Sequence, residues 1–300
     1  MSRDRRGQML LVAALGLAVA FVALALVLNA VVFTENLATR NPDPADDALA
    51  YEGAVTEGVG GLLAETNRYD DTDYGTLDAA FRTGVTDWDA NASRLAAADG
   101  RIAAVELNET TNGTRILQDA SSTFTSDGGA SDWTVAGGVS DTRRFVVVAE
   151  PSSSSPVTFE VDDGSGNDWQ VEIAEDVSGN ATVTVVDDGT VVADVTHDDA
   201  TVAVDLTEGT VNGSAVANWT YAEGVTTPYD VTVSDGSRAS GRYQLFVDRE
   251  QGSFSTAAAT TRPAIYSATV DVTVHRSSLT YESPVVLAPA DAPGEDELTE

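Results

Sequence analysis

The sequence predicts a mainly β protein: an N-terminal apolar α-helix, a short helical region, then an antiparallel β-sandwich or barrel-like domain. Three observations predict it. The 25 residues from Met9 to Phe33 carry no charge. Apolar positions then recur with a helical period as far as Gly100, and beyond it the period falls to two, with Gly-containing turn signals at short intervals. The chain divides accordingly into a basic leader (1–7), an apolar helix (8–34), a helical region (43–99), a β-rich domain (100–288) and an acidic tail (289–300).

The apolar run is long enough to span a bilayer core about 30 Å thick, which needs ~20 residues at 1.5 Å rise. A secretory signal core is shorter, ~7–15 residues. An Ala23-Leu24-Ala25 cleavage site would cut the run in half. Arg3, Arg5 and Arg6 lie on one side, and Glu35, Arg40, Asp43, Asp46 and Asp47 on the other. The excess of Arg before the run predicts a cytoplasmic N-terminus and an exported remainder. Ala14/Ala18 and Gly16/Ala20 are small pairs four apart, the spacing that lets a second helix approach closely.

The junction "RRGQMLLV" (Arg5 to Val12) resembles the class III signal of archaeal type IV pilins: basic residues, a small residue, then an unbroken apolar helix. The resemblance covers about the first 40 residues. It implies cleavage between Gly7 and Gln8 and retention of the helix as an assembly surface. It also implies that the chain partners the membrane, itself, or other pilin-like subunits. Many members carry Glu five residues after the cut, where this chain has Val12. An uncut signal anchor is the alternative reading of the same residues.

Forty-eight acidic residues against 16 basic ones give a net charge of −32, and every basic residue is Arg. Such self-repulsion opposes a compact state in dilute salt. At 1 M salt the screening length falls to about 3 Å and the same surface becomes tolerable. The composition resembles that of acidic haloarchaeal surface proteins. It offers no basic stripe for a nucleic-acid partner. Cysteine is absent, so disulfides, thiolate metal sites and Cys nucleophiles are excluded, and the exported part must be held by its core.

In the helical region, Asp43 caps and Pro44 opens a first helix, with Tyr51, Val55, Val59, Leu62 and Leu63 on one face. Gly58, Gly60 and Gly61 weaken it by about 1 kcal/mol each relative to Ala. A second helix, from about Asp73 to Ala98, places Leu77, Phe81, Val85, Trp88 and Leu95 on one stripe. Beyond Gly100, the segments "VTFEV", "WQVEI", "ATVTVV", "TVAVDL", "YDVTV", "YQLFV" and "ATVDVTV" alternate as strands. Asp163-Gly164, Asp188-Gly189, Asn212-Gly213 and Asp235-Gly236 mark turns, and "PSSSSP" (151–156) reads as a loop between strands. The tail, acidic and Pro-containing, has no periodicity and reads as disordered.

Chemistry-bearing constellations are sparse, and no cofactor is implied. His197 sits in a turn, "VTHDDAT", and His275 at a strand end; no G-x-S-x-G elbow accompanies them. Two acidic loops crowd hard oxygen ligands, "DDTDYG" (70–75) and "DDGSGND" (162–168). The second supplies the calcium candidates Asp162, Asp163 and Asp168. Neither loop has EF-hand spacing. Trp88, Trp133, Trp169 and Trp219 suit either a sugar platform or core packing, with core packing the plainer reading. Six N-x-[ST] sequons, at Asn91, Asn108, Asn112, Asn180, Asn212 and Asn218, become glycosylation candidates once the chain is exported. The expectation is a non-enzymatic, single-pass or filament-associated surface protein with its C-terminal domain outside the cell. A surface-anchored binding module for sugar or cation is the alternative.

Overall fold

The computed structural model describes residues 44–68, 73–258 and 260–288. The apolar run, Gly7, Gln8, Asp43, the Asp70–Asp71 pair and the acidic tail lie outside them. No helix of the described residues is long and apolar enough to cross a membrane.

Two helices come first, α1 (Pro44–Arg68) and α2 (Tyr74–Ala98). Asp46 and Asp47 in the first turn of α1 oppose the positive end of its dipole. Asp73 caps α2: its carboxylate accepts from the Gly75 N–H at 2.8 Å and the Thr76 hydroxyl at 2.5 Å. The predicted stripe of α1 is buried at Tyr51, Val55, Val59 and Leu63. That of α2 is buried at Leu77, Phe81 and Val85 but needs one correction. Leu95 is 70% exposed, because the buried face continues from Trp88 through Ala92 to Ala96.

Fourteen strands follow among the described residues, and every pairing is antiparallel. They are β1 (Ile102–Thr123), β2 (Trp133–Val139), β3 (Thr142–Pro151), β4 (Val157–Asp162), β5 (Asp168–Glu175), β6 (Ala181–Asp187) and β7 (Thr190–Thr196). The rest are β8 (Val202–Asp205), β9 (Thr210–Val211), β10 (Ser214–Ala215), β11 (Tyr229–Ser234), β12 (Ala239–Val247), β13 (Thr261–Arg276) and β14 (Leu279–Leu287). One sheet has the order β10-β9-β8-β3-β12-β1-β13-β14, and the other β2-β11-β4-β5-β6-β7. The β6–β7 hairpin turns on Asp188 and Gly189, both at positive φ, as a two-residue loop of this twist requires.

The eight-stranded sheet serves two cores. Its β3, β8 and β12 pack on the six-stranded sheet around Phe124, Phe145, Phe159, Trp169 and Leu245. Its β1, β13 and β14 receive the two helices around Leu63, Phe81, Val105, Val270 and Val272. β1 reaches both, with Val105 in the second and Ile116 in the first, and its pairing with β13 shifts register at Leu107/Glu109 and Thr111/Asn112. Across the sheet, Arg262, Arg115, Phe246 and Arg144 fall in one cross-strand row.

Buried polar groups join the helices to the sheet. β14 ends opposite Ala268, and just beyond it Asn67, at the end of α1, takes over the exposed edge of β13. The Asn67 amide donates to the Ile265 carbonyl (3.0 Å) and accepts from the Ile265 N–H (2.8 Å), as a neighbouring strand would. Arg115 Nη1 donates to the Asn67 carbonyl at 2.9 Å. Arg143, stacked 4.5 Å from the Phe246 ring centre, donates to the carbonyls of Ile265 and Tyr266. At the opposite end of α1, Asp47 binds Arg276, and Glu52 accepts from the Tyr281 hydroxyl.

Candidate functional site

The acidic β4–β5 loop gathers the calcium candidates, and its geometry shows what their oxygens do. Asp162 and Asp168 face each other at the base of the hairpin. Asp162 Oδ1 accepts from the Gly164 N–H, and Asp163 Oδ1 from the Ser165 N–H at 2.7 Å. Asp163 Oδ2 accepts from Asn167 Nδ2 and from both the N–H and the hydroxyl of Thr226. Hydrogen bonds from Asn167, Thr226 and Ser165 hold the Asp163 carboxyl far below the usual range. This carboxylate ties the hairpin to the loop before β11. Nearby Glu160 is shifted upward, chiefly by burial and then by Asp162 and Asp168. Among the described residues no group of three or more His, Cys, Asp or Glu side chains is placed to hold a metal ion.

The two histidines lie on different sheets. His197 follows β7 with Asp199 3.5 Å away, and His275, on β13, contacts the Thr280 hydroxyl at 3.1 Å.

The tryptophans pack inward. Trp169 is 1% exposed and meets Trp219 and Tyr221 edge-on, at 6.1 and 5.1 Å. The indole N–H groups of Trp133 and Trp219 donate to the carbonyls of Phe124 and Leu206. Trp88 lies between the helices, 6.4 Å from Tyr51. All four rings pack on a core, as the plainer reading expected, Trp88 and Trp219 being partly buried.

The sequons differ in what surrounds the amide nitrogen that a glycan must take. Nδ2 of Asn91, Asn108 and Asn180 donates to Asp87, Asp271 and Asp176 respectively. Asn112 is half-buried, with a buried Oδ1. Asn212 and Asn218 are exposed at turns with positive φ, and the Asn212 side chain is oriented by accepting from the Ala203 N–H. The Asn67–Ile265 node has no counterpart in the sequence reading. Its only visible trace is the pair Arg143-Arg144 heading the apolar run of β3.

These features define a two-sheet antiparallel sandwich carrying an α-hairpin beside it on the larger sheet. A family of unknown function (DUF7261) matches residues 3–131, which takes in the apolar run, both helices and all of β1. No curated protein matches the chain.

Proposed function

We propose that the chain is a non-enzymatic cell-surface protein, held by its N-terminal apolar segment in the membrane or a filament and presenting the β-sandwich outside. The observation that carries this reading is the uncharged run Met9–Phe33, with Arg3, Arg5 and Arg6 before it and acidic residues after it. The fixed attachment of α1 to the sandwich supports it, because a chain arriving at Pro44 meets an ordered unit. The "RRGQMLLV" junction favours pilin-type processing, which removes the charged leader and keeps the helix.

Mass spectrometry of the N-terminal peptide from native membranes tests the proposal. A mature start at Gln8 supports pilin-type processing, and a start at Met1 or Ser2 leaves a plain signal anchor. A start near Leu26, which leaves only eight residues of the run, refutes attachment through it. Protease added to intact cells is expected to degrade the β-sandwich, and full protection rejects export.

A further inference from the structure

Four chain segments meet where α1 begins: its first turn, the last turn of α2, the start of β1 and the β13–β14 turn. Asp47 binds Arg276 and lies 3.8 Å from Arg101, whose guanidinium sits 5.6 Å from the Tyr51 ring centre. The Arg101 N–H donates to the Ala96 carbonyl, and Ile102 pairs with His275. From this end Leu49, Leu95 and Ile102 project into solvent, 57%, 70% and 71% exposed. They are half of the large exposed apolar side chains among the described residues; the others, Val177, Val191 and Val286, sit singly elsewhere. The charge is also different here. In residues 44–52, 93–102 and 275–281, Arg94, Arg101 and Arg276 stand against Asp46, Asp47, Glu52 and Asp99, a net of −1 in a chain that carries −32 overall.

The position of this pole along the chain decides its occupant. Ten residues, 34–43, separate Phe33 from Pro44, a reach of at most ~36 Å even when fully extended. We propose that this near-neutral, apolar-studded pole rests on the lipid surface that the apolar run enters. Leu49, Leu95 and Ile102 dip into the headgroup layer, and the exposed Arg94 guanidinium binds lipid phosphates. At molar salt charges act only over about 3 Å, so the effect is one of contact: carboxylates elsewhere on the surface would be pressed against lipid phosphates, and the near-neutral pole is the end that can rest on them. The inference rests on the anchored reading above and adds an orientation to it.

The absence of cysteine allows single labels in the full chain. Leu95→Cys, Ile102→Cys and Val177→Cys, each carrying an environment-sensitive fluorophore, are reconstituted into vesicles with and without shallow spin-labelled lipid. Val177, at the β5–β6 turn of the six-stranded sheet, is the reference. Several-fold stronger quenching at positions 95 and 102 than at 177 is expected. If the protein floats with the vesicles but all three labels are quenched alike, or none is, the orientation is wrong and the anchor stands. If the protein does not float with the vesicles, the anchored reading fails and this inference fails with it.

Discussion

Asn67 performs, with one side chain, the work of a missing strand. Its amide matches the donor and acceptor of Ile265 at the point where β14 has ended. Replacing it by Leu keeps the volume and leaves the buried Ile265 N–H unpaired, at a cost of ~1–3 kcal/mol, while the Ile265 carbonyl keeps Arg143. Asn67→Leu is therefore expected to lower the thermal midpoint clearly, whereas Glu65→Gln, one turn-face away and exposed, leaves it unchanged. A calorimetric scan of both variants in molar salt checks this. Residue-scale geometry also ranks the sequons. Asn218 lies exposed at a turn, while Asn112 is half-buried. Glycopeptide mapping of the native protein is expected to find Asn218 occupied and Asn112 bare; the reverse pattern contradicts the ranking.

At the scale of elements, the strongest lesson concerns Gly58. Helix propensity alone says that Gly58→Ala stabilises α1 by about 1 kcal/mol. In the structure, an added Cβ would lie 2.5 Å from Trp88 Nε1. The glycine lets the indole of α2 pack against the α1 backbone, so Gly58→Ala is expected to destabilise by ~1–3 kcal/mol, as overpacking does. Urea titration monitored by Trp fluorescence decides the sign. The same contrast separates the legible elements from the rest. β4, β5, β6 and β11 alternate in sequence because one face of each meets the core and the other faces water or the rim. β3 does not alternate: Thr142 to Val147 are buried throughout, and its run of three valines fits strand or helix core equally. β1 hides its period behind two register shifts. Leu95 follows the helical stripe on paper, yet Ala96 occupies the core. The acidic β4–β5 loop was visible as a cluster, but the hydrogen bonds that occupy Asp163 come partly from Thr226, 63 residues away. Asn67 is harder still, since a lone Asn makes no pattern and its partner is 198 residues distant.

For the whole molecule, the charge of −32 sets the conditions under which the fold holds. Screening of this self-repulsion predicts a thermal midpoint that climbs as salt rises from dilute to molar; a midpoint independent of salt contradicts the halophilic reading. Acid has a separate effect. Asp163 is held far below its ordinary range by Asn167, Thr226 and Ser165, and Asp73 below it by Thr76 and Gly75. Burial works against Asp78, but Arg82 and Thr110 still lower it. A carboxyl with a depressed folded pKa contributes stability that is present above its unfolded pKa and lost as pH falls through the folded one. In molar salt, stability is expected to decline as pH drops from about 4 towards 2. Asp163→Asn should flatten the acid limb of that curve, and an unchanged limb would assign the loss to other carboxyls.

The join between α1 and the larger sheet also has a mechanical meaning. A pull applied at Pro44 loads α1 along its axis, because Asp47 is tied to Arg276 at one end and Asn67 to Ile265 at the other. The 25-residue helix lies against β13, β14 and α2 between those ties, so traction is spread in shear over its whole length. Shear loading makes bonds fail together, whereas peeling breaks them one at a time. On the anchored reading proposed above, drag on the domain would therefore meet both ties of α1 together rather than in turn.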